Sequence, residues 1–516
     1  MYFDNQMSEQ INSIANRRIA RNSIFMSVRM VFVLAISLYT TRVILKYLGV
    51  EDYGVYNVVC GFVGMFSFLN TSMSNGIQRF YNYELGKHGE QGAREVFNTS
   101  LIIQFLLAVT IVLLTEVFGM WYLHHKMVIP GMRMSAAESI FHLSIFSFFL
   151  IVMQAPFTAA VMAHERMDFF ALISVLDAVL KLVIVFILPF FSYDKLVVYG
   201  ILLSVISIID LFSYVIYTKA HFIEIHFSFR FNRKLFRQMI TFSGWNIFGS
   251  FAGVMKEQGI NLILNLFYGP VVNAARGVAS QVNNGLLNFV SNITVPIRPQ
   301  VIQSYAKEDY TRTVKLTYTV SKLSCCVLYL ISLPVFLEID YLLHLWLGTD
   351  VPNHTQSFIF IVVLVSFVNI LNGAVSTIIH ASGKMKNYQI ITSSISLVCV
   401  PAAYYVLKWG FSPEIALSMT FIFSAISQYA SLCILQTVIK ISKLDYFIQV
   451  IVPLLVLILS TVLFPFLIRI FVPQSFMRLC LVGIVSVIAV SIGIYYFVLN
   501  KKEKDILLNL IKSRMR

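Results

Sequence analysis

The sequence predicts an all-α integral membrane protein with about fourteen transmembrane helices, and three observations support this fold class. The chain has 516 residues, of which 58% are hydrophobic and 12% are charged, whereas a soluble globular domain carries about 25% charged residues. Its apolar runs reach about 20 residues, the length that an α-helix needs to cross a bilayer. These runs lack the two-residue alternation of barrel strands, so we expect helices and not a β-barrel.

The candidate spans begin after a polar N-terminal segment and continue almost to the end of the chain. Residues 1–22 end in a group of arginines before an apolar run without a small-residue cleavage site. This pattern predicts a cytoplasmic N-terminus followed by a retained signal-anchor helix. The fourteen spans have the approximate limits 23–48, 53–82, 95–122, 137–163, 169–191, 195–218, 238–267, 271–297, 314–337, 355–381, 387–409, 414–439, 446–468 and 477–499.

The distribution of lysine and arginine supports this number of spans. If the N-terminus lies inside, the inner segments carry 24 basic residues and the outer segments carry 7. Because Lys and Arg collect in cytoplasmic loops, this bias predicts that both termini are cytoplasmic. A missed helix would reverse the alternation in every later loop. We therefore attribute the net charge of +14 to membrane topology and not to nucleic acid binding.

An internal repeat divides the chain into two halves. The stretch from Asn16 to Ile24 resembles the stretch from Asn232 to Ile240, 216 residues later, and each precedes a set of six spans. Six is an even number, so both halves start on the same side of the membrane. This predicts two six-helix lobes related by a parallel pseudo-two-fold axis, with a binding site between them.

The predicted domains follow from this repeat. The last residues set apolar side chains against a basic face, which predicts an amphipathic helix on the inner membrane surface. We expect a cytoplasmic N-terminus at 1–22, an N-lobe at 23–231, a C-lobe at 232–445, two further helices at 446–499, and a basic cytoplasmic tail at 500–516.

Polar side chains recur at helical spacing on the second, seventh and eighth spans. On the eighth span they occur every three or four residues, which places them on one face of a helix. Such faces either pack helices together or line a water-filled cavity, and both explanations stay open for each asparagine. The candidate cavity residues are Asn57, Lys256, Asn261, Asn273, Arg276 and Asn284, with Arg29 on the first span.

Several charged residues have two explanations each. Arg42 lines the cavity or reaches the outer lipid headgroups, and Arg29 lines the cavity or reaches the inner ones, because long cationic side chains extend toward the membrane surface. Arg79 and Arg298 lie near inner helix ends and either face the cavity or mark those ends. Glu257 either faces the cavity or lies near a helix end, and Lys256 either faces the cavity or neutralises a neighbour on its own helix. Asp177 and Lys181, four residues apart on the fifth span, predict an internal ion pair.

Basic side chains outnumber acidic ones within the spans. Ionisable groups at membrane depth are costly and usually mark functional sites. An excess of cations attracts an anion, and the arginine fork suits phosphate oxygens. The sequence has no Walker A loop, zinc-protease motif or nucleophile elbow. We therefore expect no cofactor, no metal and no enzymatic activity. We expect transport that is driven by an ion gradient or by the substrate gradient.

Two stretches of the chain resemble a known family. The first runs from Asn22-Ser23 through Arg42-Val43-Ile44-Leu45 and Leu48-Gly49 to Asp52-Tyr53-Gly54-Val55-Tyr56, and the second is Ala274-Ala275-Arg276-Gly277-Val278-Ala279 with Gln281-Val282. Both resemble Wzx-type flippases of bacterial polysaccharide export. These flippases belong to the multidrug/oligosaccharidyl-lipid/polysaccharide (MOP) superfamily, together with lipid II flippases and multidrug extruders (MATE proteins).

The resemblance implies a function. A Wzx-type flippase moves an undecaprenyl-pyrophosphate-linked oligosaccharide, such as an O-antigen unit of lipopolysaccharide, across the bacterial inner membrane by alternating access. Membrane lipids and a coupling ion, proton or sodium, are the other expected partners. In lipid II flippases, arginines on helices 1, 2 and 8 contribute to the central cavity. Arg29 and Arg276 fall in matching places, whereas Arg79 lies at the inner end of helix 2 and departs from the pattern.

Two alternatives remain at this point. A multidrug and toxin extruder of the same fold should carry a predominantly acidic cavity, which this chain lacks. A membrane polymerase or ligase acting on the same lipid-linked sugars should carry a sizeable outer catalytic loop, and the longest predicted outer loop, from Glu338 to His354, is short.

Overall fold

The computed structural model of the chain describes most of its length. The backbone is described at 2–164, 166–226, 232–306, 308–348, 351–382, 385–439, 441–499 and 504. Side chains are described over the same ranges except at 2–29, 31, 75, 242–243, 245–246, 292–300, 303, 306, 380–381 and 385. The chain divides into two compact units, Met1–Ala274 and Ala275–Arg516.

The first unit consists of long helices in sequence order. It contains α1 (Tyr2–Gly64), α2 (Ser67–Leu114), the short α3 (Met120–His125), α4 (Met134–Ala163), α5 (Met167–Ile187), α6 (Lys195–His221) and α7 (Arg233–Tyr268), and α8 (Pro270–Ala306) begins at its end. A five-residue π-helical turn joins α2 to α3. Helix α2 packs against α4 and α7, α4 packs against α6, and α1 packs against α5.

Three glycines with positive φ lie at helix breaks between predicted spans. Gly49 interrupts α1 with φ 83°, Gly89 interrupts α2 with φ 61°, and Gly269 separates α7 from α8 with φ 73°. Glycine adopts positive φ without the steric penalty that a Cβ atom causes. The breaks fall between the first and second, second and third, and seventh and eighth predicted spans.

The second unit has a similar helical composition. After the rest of α8 it contains α9 (Tyr310–Leu337), α10 (Ile339–Leu347), α11 (Thr355–Ala381), α12 (Met385–Lys408), α13 (Pro413–Val438), the short α14 (Lys443–Tyr446), α15 (Val452–Thr461), α16 (Leu463–Phe471) and α17 (Phe476–Gly493). Helix α13 packs against α11 and α12, and α9 packs against α11 and α17. The nine-residue α10 lies in the segment from Glu338 to His354, which the sequence predicts as an outer loop.

A buried ion pair fixes α17 next to the end of α9. Arg478 Nη2 lies 2.7 Å from Glu338 Oε2, and the two side chains are 12% and 0% exposed. Arg478 also donates to the carbonyl oxygens of Arg469 and Val472. Several hydrogen bonds thus compensate the guanidinium for the water that it loses on burial.

The helices confirm the all-α membrane fold class. Within the described ranges, eleven helices are long and apolar enough to cross a membrane. Many large apolar side chains on them are exposed, including Leu113, Leu172 and Ile216, as lipid-facing positions require. The number fourteen stays a prediction. The more polar α7 and α8 are not among the eleven, and the first three predicted spans fall on only two of them, Phe32–Gly64 and Ser67–His125.

Two domain predictions are not tested by this structure. The predicted lobe boundary at residue 232 differs from the boundary between compact units, which falls after Ala274 because α7 packs against α1 and α2. The predicted six-helix lobes therefore stay a proposal. The amphipathic tail at 500–516 lies outside the described residues, apart from Lys504.

The Arg478–Glu338 pair predicts a large stability difference between two arginine substitutions. Arg478→Met leaves Glu338 buried without its cation, and breaking a buried pair in this way costs about 3–5 kcal/mol. Arg469→Met is the matched control, because Arg469 is 38% exposed and lies 4.0 Å from the exposed Asp340, where such a pair is worth about 0–1 kcal/mol. Thermal unfolding in detergent should show a much lower midpoint for Arg478→Met. Equal midpoints for the two variants would contradict this assignment.

Candidate functional site

The predicted cationic residues lie in different environments. The side chains of Arg29 and Arg298 are outside the described part of the chain, so their roles stay predictions. Arg276 lies near the start of α8, in the second unit, and is only 6% exposed. A guanidinium at membrane depth is costly unless its surroundings are polar. Arg276 is therefore the predicted arginine whose burial calls for a functional or structural explanation.

The remaining predicted charged residues are more accessible. Lys256 on α7 is half-buried, whereas its neighbour Glu257 is exposed. Arg42 on α1 and Arg79 on α2 are both exposed. Exposed arginines on membrane helices can reach lipid headgroups or water. Of the predicted asparagines, Asn284 on α8 is exposed.

Arg79 lines a cavity of about 540 Å³ within the first unit. The cavity lies between the middle of α2 and the first turns of α7. Both signs of charge occur in its lining: Arg79, Lys87 and Lys234 with Glu84 and Glu95. The carboxylate of Glu95 accepts a hydrogen bond of 2.9 Å from Asn232, the residue that caps α7. Arg79 thus belongs to a polar pocket at a helix end.

Asn261 and Asn273 belong to a buried hydrogen-bond network, in line with the packing explanation that the sequence left open beside cavity lining. Asn273 is fully buried, and its Nδ2 donates to Asn261 O at 2.7 Å and to Asn261 Oδ1 at 2.8 Å. Asn265, which the sequence analysis did not select, donates to Asn273 Oδ1 at 3.0 Å and exchanges two hydrogen bonds with the backbone of Val128. Buried amides satisfied in this way hold helices together. In this conformation Asn261 and Asn273 therefore join α7, α8 and the segment after α3.

Asn57 occupies an intermediate position. Its Nδ2 donates to Tyr53 O at 2.7 Å, one turn earlier on α1, and its own carbonyl accepts from Asn261 at 3.5 Å. Gly61 follows one turn later, where a Cβ atom would lie 2.8 Å from Gln258 Oε1 and 2.9 Å from Asn261 Nδ2. The polar stripe on this part of α1 thus packs closely against α7.

The Asp52-Tyr53-Gly54 motif has a structural role. Arg133 donates to Asp52 Oδ1 at 2.7 Å and to Asp194 Oδ2 at 2.5 Å, so that one guanidinium joins α1 to the start of α6. Asp194 also caps α6 by accepting from Leu196 N and Val197 N. Burial acts to raise the pKa of Asp194, but the hydrogen bond and charge of Arg133 together with the hydrogen bonds from Leu196 N and Val197 N outweigh it, and the pKa is lowered. These partners lie far apart in sequence, and no local pattern predicts them.

A second unpredicted cluster surrounds Glu224, just after α6. The buried Glu224 Oε1 accepts from Tyr81 OH at 2.7 Å and lies 2.6 Å from His164 Nε2. The His164 ring stacks on Phe222, with centroids 4.1 Å apart. Burial acts to raise the pKa of Glu224, but the hydrogen bonds from His164, its own backbone and Tyr81, together with the charge of His164, outweigh it and lower the pKa below its ordinary value of 4.5. The cluster joins α2, α4 and the segment that leads toward α7.

Comparisons with known proteins identify both a family and a fold. The model of a family described as "Polysaccharide biosynthesis protein" matches residues 19–307. No curated protein sequence matches the chain. Among solved structures, lipid II flippase MurJ in an inward closed conformation has 15% identity and a TM-score of 0.65, covering 91% of this chain and 99% of its own.

Multidrug transporters share the same fold. An inward-facing multidrug resistance MATE family transporter of the MOP superfamily has 14% identity and a TM-score of 0.65, covering 79% of this chain and 97% of its own. An outward-facing structure of such a transporter has 12% identity and a TM-score of 0.59, covering 81% and 95%. At these identities the likeness establishes the fold alone, and it confirms the predicted MATE and lipid II flippase architecture.

Gly54 generates a testable prediction, because a Cβ atom at this position would lie 2.0 Å from Pro270 O. Gly54→Ala must displace the backbone at the start of α8, and overpacking of this kind costs about 1–3 kcal/mol. Gly64→Ala is the matched control on the same helix, since its Cβ would have no neighbour closer than 4.0 Å. Thermal midpoints in detergent should fall for Gly54→Ala and stay near the wild type for Gly64→Ala. An unchanged midpoint for Gly54→Ala would contradict the prediction, because the start of α8 would then move without any loss of stability.

The Glu224 cluster predicts a pH-dependent stability. A carboxyl whose pKa is lowered on folding adds stability above its unfolded pKa and loses it as pH falls through the folded value. The stability advantage of wild type over Glu224→Gln should therefore be full near neutral pH and shrink as pH falls below 4.5. Thermal midpoints measured across this range test the prediction. A difference independent of pH would contradict it.

Proposed function

The chain belongs to the family of polysaccharide biosynthesis proteins, and from this premise we propose that it is a flippase for a lipid-linked oligosaccharide. The proposed substrate is an undecaprenyl-pyrophosphate-linked repeat unit, which moves from the inner to the outer leaflet of the bacterial inner membrane. The product would then serve the synthesis of a surface polysaccharide. In this proposal both termini are cytoplasmic, in agreement with the distribution of loop lysines and arginines.

The observation that carries this proposal is the family match over residues 19–307, more than half of the chain. The multi-pass helical fold supports transport within the membrane, since eleven described helices could span it. The likeness to lipid II flippase MurJ agrees with a flippase function at the level of the fold. The excess of basic over acidic residues within the predicted spans favours an anionic substrate.

We assign the contacts with the pyrophosphate to three cations. Arg29 and Arg276 would pair their guanidinium forks with phosphate oxygens, and Lys256 would add a point charge. The desolvation of Arg276, which is 6% exposed, would strengthen its attraction to an anion. Asn57 and Asn284 would donate hydrogen bonds to sugar hydroxyls. Translocation would alternate between conformations open to the two sides of the membrane.

A multidrug and toxin extruder is the second candidate, because a MATE transporter matches this chain with the same TM-score as MurJ, 0.65, over 79% of the chain in place of 91%. The two functions predict different phenotypes. Deletion of a flippase should remove surface polysaccharide and cause lipid-linked sugars to accumulate on the cytoplasmic face. Deletion of an extruder should increase sensitivity to cationic drugs and leave the polysaccharide intact.

Charge reversal at Arg276 tests the proposed substrate contact. Arg276→Glu should abolish surface polysaccharide, because a carboxylate in place of the guanidinium repels the pyrophosphate. Arg276→Lys should retain part of the activity through its charge. The measurement is the amount of surface polysaccharide in a complemented deletion strain, together with the amount of protein in the membrane.

The control is Arg312→Glu, a reversal at an exposed position near the start of α9, which should leave the polysaccharide unchanged. A folding check is needed because Arg276 is buried, and detergent-solubilised Arg276→Glu should elute as a single species. Normal polysaccharide in cells that carry correctly inserted Arg276→Glu would refute the assignment.

A further inference from the structure

A polar cavity within the second unit is lined by residues that the proposed substrate contacts do not use. It has a volume of about 340 Å³ and lies between the first half of α9 and the segment around α14. Its charged lining groups among the described residues are the ammoniums of Lys315 and Lys322 and the carboxylate of Asp445. Further polar lining groups are the hydroxyls and the amide of Thr311, Thr319, Ser442 and Gln449.

The α9 wall of the cavity is one face of that helix. Its polar members follow one another at three or four residues: Thr311, Lys315, Thr319 and Lys322. Residues at such spacings lie one above the other on a helix. Lys315 and Lys322 lie about 8 Å and about 18 Å along the axis from Tyr310, where α9 begins. Because helical side chains point back toward the N-terminus, the ammonium of Lys322 is directed toward the end of the helix where Lys315 lies.

Lys322 is buried within one of the candidate membrane spans although it carries a charge. It is 4% exposed, and its Nζ donates to Val498 O at 3.1 Å. Val498 is the last residue of the π-helical turn that follows α17, so its carbonyl belongs to a helix end. A buried ammonium in a membrane helix is costly and is a functional-site candidate by default. Since little water screens it, its attraction to an anion in the cavity is strong.

Contacts between neighbouring helices fix the walls of the cavity. The ring of Tyr446, at the end of α14, packs edge-on against Tyr318 of α9, with centroids 5.5 Å apart. The Tyr446 hydroxyl also donates to Ser321 Oγ at 3.5 Å. The ammonium of Lys443 lies 4.9 Å from the centre of the Tyr429 ring on α13, a cation–π contact that holds α14 in place. The folded chain thus forms the cavity by itself, and binding requires little reorganisation.

Exposed apolar side chains border the cavity. Leu444, Phe447 and Ile448 are 65%, 50% and 52% exposed, and they lie beside the lining residues Asp445 and Gln449 in the sequence. This segment therefore presents an apolar face next to a polar one, as amphipathic segments do at the boundary between hydrocarbon and headgroups. A ligand with an anionic head and an apolar tail matches both faces.

The charge and the size of the cavity select the class of ligand. Two ammoniums and one carboxylate from the described lining leave one excess positive charge, which a monoanionic phosphodiester neutralises. A pyrophosphate carries more negative charge and would be repelled by Asp445. The volume of about 340 Å³ lies at the lower end of the range for small-molecule sites, roughly 300–1,000 Å³. A lipid headgroup fits this volume, whereas an oligosaccharide repeat unit exceeds it.

We propose that this cavity binds the headgroup of an anionic glycerophospholipid such as phosphatidylglycerol, from the leaflet next to the start of α9. Lys315 and Lys322 contact the phosphate, and the hydroxyl and amide groups of the lining contact the glycerol hydroxyls. The acyl chains lie over the exposed apolar side chains of α14 and the turn after it. Basic pockets on the cytoplasmic side of membrane helices bind such headgroups, and the loop cations predict that α9 begins on this side. The inference does not rest on the proposed transport function.

Native mass spectrometry of the delipidated full-length protein tests the site. Wild type should bind phosphatidylglycerol about tenfold more tightly than phosphatidylcholine with the same acyl chains, because the ammoniums repel the choline cation. Lys315→Gln should weaken the binding of phosphatidylglycerol about tenfold, as the loss of one charge-assisted hydrogen bond to phosphate does. Equal affinities of wild type for the two lipids, or an unchanged affinity of Lys315→Gln, would overturn the proposal.

The matched control is Arg312→Gln, which removes an exposed cation three residues earlier on α9 that does not line the cavity. It should keep the wild-type affinity, and an equal loss in Arg312→Gln and Lys315→Gln would reduce the effect to surface charge and overturn the site. Lys322→Met removes the buried charge at similar length and should also weaken the binding of phosphatidylglycerol. Lys315→Gln, at an exposed position, decides the question alone if Lys322→Met does not fold.

Two further probes identify the source of the phosphate. Glycerophosphoglycerol, the same headgroup without acyl chains, should not displace phosphatidylglycerol at equal concentration. Displacement would show that the cavity takes a soluble phosphate and would overturn the choice of a lipid. Undecaprenyl pyrophosphate should bind equally well to wild type and to Lys315→Gln. A loss in Lys315→Gln would assign the cavity to the proposed substrate instead. These experiments measure binding alone, so a failure of the proposed flippase function leaves their outcome unchanged.

Discussion

The free-energy cost of placing polar and charged groups in an apolar solvent determines where such side chains lie in this protein and what they contact. A helix satisfies its own backbone in lipid, but each polar side chain within the membrane needs a partner from another part of the chain. The structure meets this requirement with a few connected clusters. Arg133 joins two aspartates, Arg478 pairs with Glu338, and Asn265 links α7 to the segment after α3.

These clusters explain why motifs of the sequence need not mark a binding site. In the stretch Asp52-Tyr53-Gly54, the carboxylate pairs with Arg133 and the glycine allows the backbone of Pro270 to approach closely. Both features fix the geometry of the first unit. Likewise, Asn261 and Asn273 satisfy each other, so their helical spacing reflects packing between α7 and α8.

The sequence alone determined the fold class, the approximate limits of most helices and the Asp177–Lys181 pair, although the break between α1 and α2 falls inside the predicted span 53–82. These features depend on local information: apolar length and a spacing of four residues on one helix. The overall likeness to polysaccharide flippases also came from short stretches of sequence. Each of these predictions uses residues that are neighbours in the chain or on one helix face.

Only the tertiary structure decided which polar residues are satisfied. Arg133 meets Asp52 and Asp194 across 81 and 61 residues, and Tyr81 meets Glu224 across 143. A sequence pattern reports that a side chain is polar and which face it shares, but it contains no distances between helices. Whether an asparagine packs or faces a cavity depends on those distances, which is why Asn273 was predicted to line a cavity and lies instead in a fully buried network.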